Sequence, residues 1–447
     1  MNRTTSIITS ILLSTLIVDT ITANVYDLIS KELASSLGVA FFIVNSAILL
    51  GSELFLLLGF VKHKTGRIRT ADLAFDKLYR LVIVIQIILI AIFVFMSIQI
   101  VLTSQYFIVW IIVGLIISSI PFYVSFGLLA KRFFIWYRSN KRNLIVFLYC
   151  LGVPSTLVGT ALIDIGLYVL FLDSPMVIES SRAHPQNERS TTSHSFPMKE
   201  VSDRLLGLAT VILIIDYILL WTASAVLLFQ YSRRLGKSTI YWMIIFLPLA
   251  FTLIGIFPTL LGVSTADFPF FEQDMILFRI ITTLAVIGGA LLFGAAFFTI
   301  AKTTRRIKQD SVSDYLNLAG FGIALMIITI VGGLVLIPYP PFAIAASFTA
   351  PLASYLFYIG VYSSAISISE DTELRRSIRK MAVNELKLLD SIGRAQMNQQ
   401  LQDKVAKLVK KYSDKLNKDV GIQPNLPEED AKQYLDEVMK ELDKHRQ

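Results

Sequence analysis

Three carboxylates stand inside long apolar runs of this sequence: Glu53, Asp164 and Asp216. In such surroundings a carboxylate has to be paired, hydrated or protonated, so the chemistry open to it is proton binding, ion pairing or hydrogen bonding to a ligand. Thr156, Thr160 and Asp164 recur at four-residue steps, which places them on one face of a helix. Pro154 lies just below them and loosens the backbone there. This polar stripe is the best pocket candidate in the chain. Arg279 is the cation at a depth to meet Asp164; a structural ion pair or a snorkelling arginine is a simpler account of it than ligand binding. For Glu53 two readings stay open, a proton-binding site and a protonated acid bonded to a neighbouring helix.

Other chemistry has little to stand on. No paired carboxylates share a motif, no His-Glu spacing suits a metal, and no Gly-x-Ser-x-Gly turn presents a nucleophile. The single cysteine, Cys150, sits in an apolar segment and reads as a packing residue. His184 and His194 are ten residues apart without further ligands nearby, too little for a metal. We therefore expect no catalytic residues, no metal and no cofactor, and a protein that is not an enzyme.

The elements that must hold these side chains are membrane helices. With 54% hydrophobic and 17% charged residues and a mean hydropathy of +0.64, the chain is too apolar for a water-soluble domain of its length. Runs of about twenty apolar residues suit helices and are too long for barrel strands. The spans fall at 7–23, 38–61, 81–102, 107–130, 144–172, 205–229, 240–263, 276–300, 315–337 and 343–366. The expected fold is all-α: a polytopic bundle of about ten transmembrane helices over 1–368, followed by a soluble helical C-terminal tail over 369–447.

Lys and Arg cluster after the second, fourth, sixth, eighth and tenth spans, as in Lys62, Lys64, Arg67 and Arg69 or Lys131, Arg132 and Arg138. By the positive-inside rule these turns and the C-terminus are cytoplasmic. The net charge of +8 is thereby explained by orientation, with no nucleic-acid partner. The first span is short and carries Asp19, so a cleaved signal peptide competes with a retained helix. Ile21, where a small residue is wanted before a cut at Ala23, favours the helix. The outer connection 173–203, rich in Ser, Thr, Pro and Asn, reads as a flexible loop.

Lipid provides no hydrophobic drive for helices to associate, so small residues must let them approach. Gly152, Gly159 and Gly166 recur every seven residues; Ala285 with Gly289, Ala290 with Gly294, and Gly320 with Ala324 are spaced by four. These are packing signals without chemistry. The matched Gly or Pro interruptions of an inverted-repeat transporter are missing.

The tail switches to mixed charge. Leu374, Ile378, Met381, Leu388 or Leu389, and Ile392 are helically spaced, and a second run, Met397, Leu401, Val405, Leu408, Tyr412 and Leu416, steps by four and three. Pro427 opens a third helix with acidic residues first and basic residues last. Such stripes must be covered by each other, by a second copy or by a partner, and Leu401, Val405, Leu408, Tyr412 and Leu416 are the expected contact face. The runs Ser369-Glu-Asp-Thr-Glu-Leu-Arg-Arg-Ser-Ile-Arg-Lys380, Leu388-Leu-Asp-Ser-Ile-Gly393, Ala395-Gln-Met397, Gly421-Ile-Gln-Pro424 and Tyr434-Leu-Asp-Glu-Val438 resemble the tail of uncharacterised multi-pass membrane proteins of ammonia-oxidising archaea. The resemblance covers the tail well and the membrane part only as general layout. It implies an archaeal cell membrane and no particular activity.

The expected function is a sensor or signal-coupling protein in the lipid bilayer, its tail binding a cytoplasmic protein or a second copy of itself. A secondary transporter or proton-coupled carrier resting on Glu53, Asp164 and Asp216 is the alternative. A structural subunit of a membrane complex is the plainest reading.

Overall fold

The computed structural model describes residues 3–33, 36–61, 73–139, 143–172, 177–179, 197–229, 238–261, 275–306, 310–334, 341–371 and 388–402, with 404, 405 and 408. Eleven α-helices and one short ribbon make up the bundle: α1 Arg3–Leu33, α2 Ser36–Phe55, α3 Leu73–Thr103, β1 Gln105–Phe107, α4 Val109–Ser139, α5 Leu144–Leu172, β2 Val177–Glu179, α6 Pro197–Leu228, α7 Ser238–Leu261, α8 Met275–Arg306, α9 Asp310–Leu334, α10 Ile344–Phe348 and α11 Ala350–Glu370. A further helix covers 388–402. Eight segments are long and apolar enough to cross a bilayer, lying in α2, α3, α4, α5, α6, α8, α9 and the α10–α11 pair. The described apolar stretches of α1, Ile7–Ala23, and α7, Tyr241–Ile254, are shorter. Large aliphatic and aromatic side chains point outward, among them Val84, Ile87, Phe95 and Ile98 of α3 and Met243, Ile244 and Leu247 of α7. A surface so apolar needs lipid around it, and the chain is a multi-pass membrane protein.

The helices outrun the apolar spans read from the sequence. α3 starts eight residues before 81, α4 carries Lys131, Arg132 and Arg138, and α8 runs to Arg306. Hydropathy marks the hydrocarbon slab, whereas backbone hydrogen bonding continues into the polar zone. The connection 173–203, expected to be a flexible loop, contains regular structure at 177–179 and from 197 onward. Val177–Glu179 pairs antiparallel with Gln105–Phe107, and α6 reaches back to Pro197. The alternation of Val177, Ile178 and Glu179 was too short a strand signal to stand out. His184 and His194 lie outside the described residues.

The axis of the bundle is α11, buried continuously from Pro351 to Ala365 and touched by α3, α4, α9 and α10. It can be buried on every side because its neighbours come to backbone distance. A Cβ on Gly322 of α9 would overlap the backbone nitrogen of Phe357, and one on Gly360 that of Ala319. The heptad glycines of α5 have the same use. Gly152, Gly159 and Gly166 receive Leu220, Leu213 and Leu206 of α6, a matching heptad on the partner. Gly294 of α8 and Gly320 of α9 face each other, while Gly289 receives Tyr217 of α6. Replacing Gly360 or Gly322 by Ala should therefore destabilise the protein by about 3 kcal/mol, seen as a fall in the thermal unfolding midpoint in detergent. Gly51→Ala and Gly207→Ala, where an added Cβ meets nothing within 4 Å, should be neutral or slightly stabilising.

Candidate functional site

The tenth span is broken. Ala343 adopts a left-handed backbone with φ 67°, the single-turn helix α10 follows, and Thr349 separates it from α11. All of 341–349 is buried, so its backbone groups need partners within the protein. The buried carboxylate of Asp19 on α1 accepts from Asn45 Nδ2 of α2 at 3.2 Å and lies beside the backbone N–H groups of Ala343 and Ala346, which favour its negative charge. Gln86 of α3 donates to Glu53 of α2 and lies 3.5 Å from the Phe348 carbonyl oxygen. The Thr329 and Thr349 hydroxyls are 2.5 Å apart. Asp19, which weakens the first apolar span as a sequence, is thus the residue that ties α1 to the break.

Glu53 is fully buried, and of its two oxygens Oε1 has no hydrogen-bond partner among the described residues. It stands at the end of α2, directly before a π-helical turn over Leu56–Val61. There the Leu57 carbonyl is released from the α-helical pattern and accepts from Tyr79. Wide turns of this kind recur at functional positions in helices.

On the other side of the break lies a cavity of about 70 Å³. It is bounded by α4 (Leu115, Ser118, Ser119, Phe122), α5 (Thr160, Ile163, Asp164, Leu167), α9 (Thr329, Ile330) and the broken span (Ser347, Ala350). Asp164 also borders a smaller cavity of about 40 Å³ with Ser119 and Tyr168, so its carboxylate stands between the two. Tyr123 of α4 hydrogen-bonds to Asp164 Oδ2.

The predicted stripe is divided by the structure. Thr160 and Asp164 line the cavity, whereas Thr156 turns to α6, its hydroxyl 2.8 Å from Asp216 Oδ2. Asp216 is buried in the α5–α6 seam against Gly152 and borders neither cavity. The four-residue spacing put three side chains on one face, but a face about 100° wide can serve two neighbours. Arg279 belongs to α8, and its side chain lies outside the described residues.

A second site, absent from the sequence reading, is formed by the tail. Helix 388–402 packs on the end of the bundle where α11 leaves it, burying Leu388, Leu389, Ile392 and Ala395. Gly393 lets it lie on Ile368, whose side chain a Cβ would overlap. Arg132 of α4 donates to Gln399 Oε1 at 2.9 Å, and Trp136 Nε1 to Gln396 Oε1 at 3.3 Å. Ser369 of α11 donates to Gln400 Oε1 at 3.2 Å. Arg132 also stands 4.5 Å from the centroid of the Tyr362 ring. The tail's apolar positions therefore divide. Leu388 to Ala395 are consumed by the bundle, while Leu401 and Leu408 remain exposed and Val405 half-exposed; Tyr412 and Leu416 lie outside the described residues. The helical spacing was legible, but nothing in it distinguished a stripe that covers the bundle from one that stays open.

Compared with models of known protein families, with curated proteins and with solved structures, the chain matches none of them.

The Glu53–Gln86 pair carries a prediction. Gln86→Leu leaves the Glu53 carboxyl without its donor and should cost about 1–3 kcal/mol. The double variant Glu53→Leu, Gln86→Leu removes both polar partners and should recover most of that loss. Unfolding midpoints of the four proteins in one double-mutant cycle measure it.

Proposed function

We propose that the chain is a sensor or signal-coupling protein of the cell membrane, in which occupancy of the Asp164 cavity is passed to the tail helix and from there to a cytoplasmic partner. The observation that carries this reading is the double engagement of α4 and α11. α4 borders the cavity through Leu115 to Phe122 and holds the tail through Arg132 and Trp136. α11 begins beside the cavity at Ala350 and meets the tail at Ile368 and Ser369. Along α4 the two contacts are separated by about 15–25 Å of continuous helix. A tilt or turn of either helix would alter both.

The reading includes ten spans, with α1 and α7 crossing alongside the other eight. Its support for α1 is the burial of Leu12, Leu16 and Asp19 inside the bundle. Basic turns support a cytoplasmic tail end, and the tail's resemblance to archaeal membrane proteins is the support for an archaeal cell membrane. Leu401, Val405 and Leu408 are the face offered to the partner, a protein or a second copy of this chain. No reaction is assigned to the protein.

A secondary carrier is the second reading. It is favoured by the broken tenth span, since discontinuous helices form the binding sites of many transporters, and by the buried Glu53 beside it.

A labelling experiment tests the first reading. In a Cys150→Ser background, Ile392→Cys in proteoliposomes should react slowly with a maleimide, and Trp136→Ala should speed the reaction about tenfold by releasing the tail, an opening of about 1.4 kcal/mol. The released form should also capture its cytoplasmic partner better than wild type, and deletion of 370–447 should abolish capture. Equal capture by intact and truncated protein would overturn the sensor reading. Substrate flux that disappears in Glu53→Gln would move the assignment to the carrier.

A further inference from the structure

The walls of the Asp164 cavity have an unusual polarity. Five hydroxyl side chains line it: Ser118, Ser119, Thr160, Thr329 and Ser347. Four of them donate to carbonyls of their own chain segment, Ser118 to Leu115 at 2.9 Å, Ser119 to Ile116 at 2.9 Å, Thr160 to Thr156 at 2.8 Å and Ser347 to Ala343 at 3.1 Å. Such back-bonding is the usual fate of Ser and Thr inside a helix. The fifth is committed too. Thr349 donates to the Ala346 carbonyl at 2.6 Å, so the proton between Thr329 and Thr349 comes from Thr329. Tyr123 has its own hydroxyl proton on Asp164.

With every hydroxyl proton spent, the polar groups turned to this cavity are oxygen lone pairs and one carboxylate. Among the described residues no Lys, Arg, His, Asn, Gln or Trp lines the cavity, so no described side chain there donates to an anion. Each oxygen can still accept, and several acceptors lining one cavity with a single negative charge in a low-dielectric wall favour a cation. A single carboxylate balances one positive charge; a divalent ion would leave an uncompensated charge inside the bundle. About 70 Å³ holds a partly dehydrated alkali-metal ion or an amine of a few heavy atoms.

We propose that the Asp164 cavity is a binding site for a small monovalent cation, coordinated or hydrogen-bonded by the Asp164 carboxylate and the hydroxyl oxygens of Ser118, Ser119, Thr160 and Ser347. The site rests on the sensor reading only for what occupancy does; binding itself stands on the cavity walls. Asp164 is the charge that selects the ligand, and the hydroxyls set its size.

Thermal unfolding of the full chain in nanodiscs, followed by tryptophan fluorescence, tests the proposal at constant ionic strength. Sodium, potassium and ethylammonium chlorides are compared with N-methylglucamine chloride, whose cation is too large to fit. At least one of the three small cations should raise the unfolding midpoint saturably, and the effective one distinguishes a metal ion from an amine. Asp164→Asn should abolish the shift, and Ser118→Ala with Ser347→Ala, which keeps the charge, should weaken binding about tenfold. Identical midpoints in all four salts, or a shift that survives in Asp164→Asn, would overturn the site; if Asp164→Asn does not fold, an unchanged affinity in the Ser118, Ser347 double variant does so. Tail release, read separately by labelling at position 392, distinguishes the two readings. A cation that binds without changing it leaves the site standing and removes the coupling.

Discussion

A bilayer offers no water to complete a broken backbone hydrogen bond, and the central span of this bundle is broken. The interruption between Ala343 and Thr349 sets the arrangement around it. Asp19, Gln86 and Thr329 reach it from α1, α3 and α9, and each brings its helix with it. Asp19 and Gln86, otherwise costly in hydrocarbon, meet the break, and Asn45 and Glu53 of α2 in turn meet them. Close approach of α9 at Gly322 and Gly360 then encloses α11 on the remaining side. The cavity lies where the return from α10 to α11 leaves α4, α5 and α9 short of full contact.

Much of this was legible in the sequence, and the limits follow from physics. Hydropathy marks the eight long spans because backbone satisfaction demands long apolar helices, and small-residue spacing marks the close-packing faces of α5, α8 and α9 without naming their neighbours. The shared helix face of Thr160 and Asp164, which line the cavity, is readable from their spacing. The separation of Asp216 from that cavity is not, because periodicity fixes a face but not the neighbour it meets. Pro341 and Pro351 flank the break in the sequence, but no glycine marks the left-handed backbone at Ala343, which is held by tertiary contacts. Asp19 was a visible anomaly whose partner, more than three hundred residues away, could not be named. Gln396, Gln399 and Gln400 lie outside the apolar stripe that the spacing picks out, yet they meet Trp136, Arg132 and Ser369.

The two sites differ in kind. The cavity is small, fixed by helix cores and lined by committed hydroxyls. The tail contact relies on a few neutral and charge-assisted hydrogen bonds and a short apolar strip, each individually modest, so it is the part able to open at low cost. Between them run α4, with Pro121 at its cavity end, and α11, both helical over the whole distance. An occupant that favours one packing of these helices would bias the tail by its differential affinity for the two arrangements and no more. Coupling of a few kcal/mol is enough to move a contact of this strength.

Hydrogen exchange of helix 388–402 in the full chain, with the cavity filled by Ser119→Trp, measures that coupling most directly. Ser119 borders both cavities and lies about 20 Å of helix from Arg132, so the substitution touches nothing in the tail. With α4 and α11 coupling cavity to tail, amide exchange in 388–402 should change by about tenfold, the effect of about 1.4 kcal/mol on the docked state, while α9 remains protected. Exchange in 388–402 identical to wild type, in a variant that is folded and has its cavity filled, would contradict that coupling.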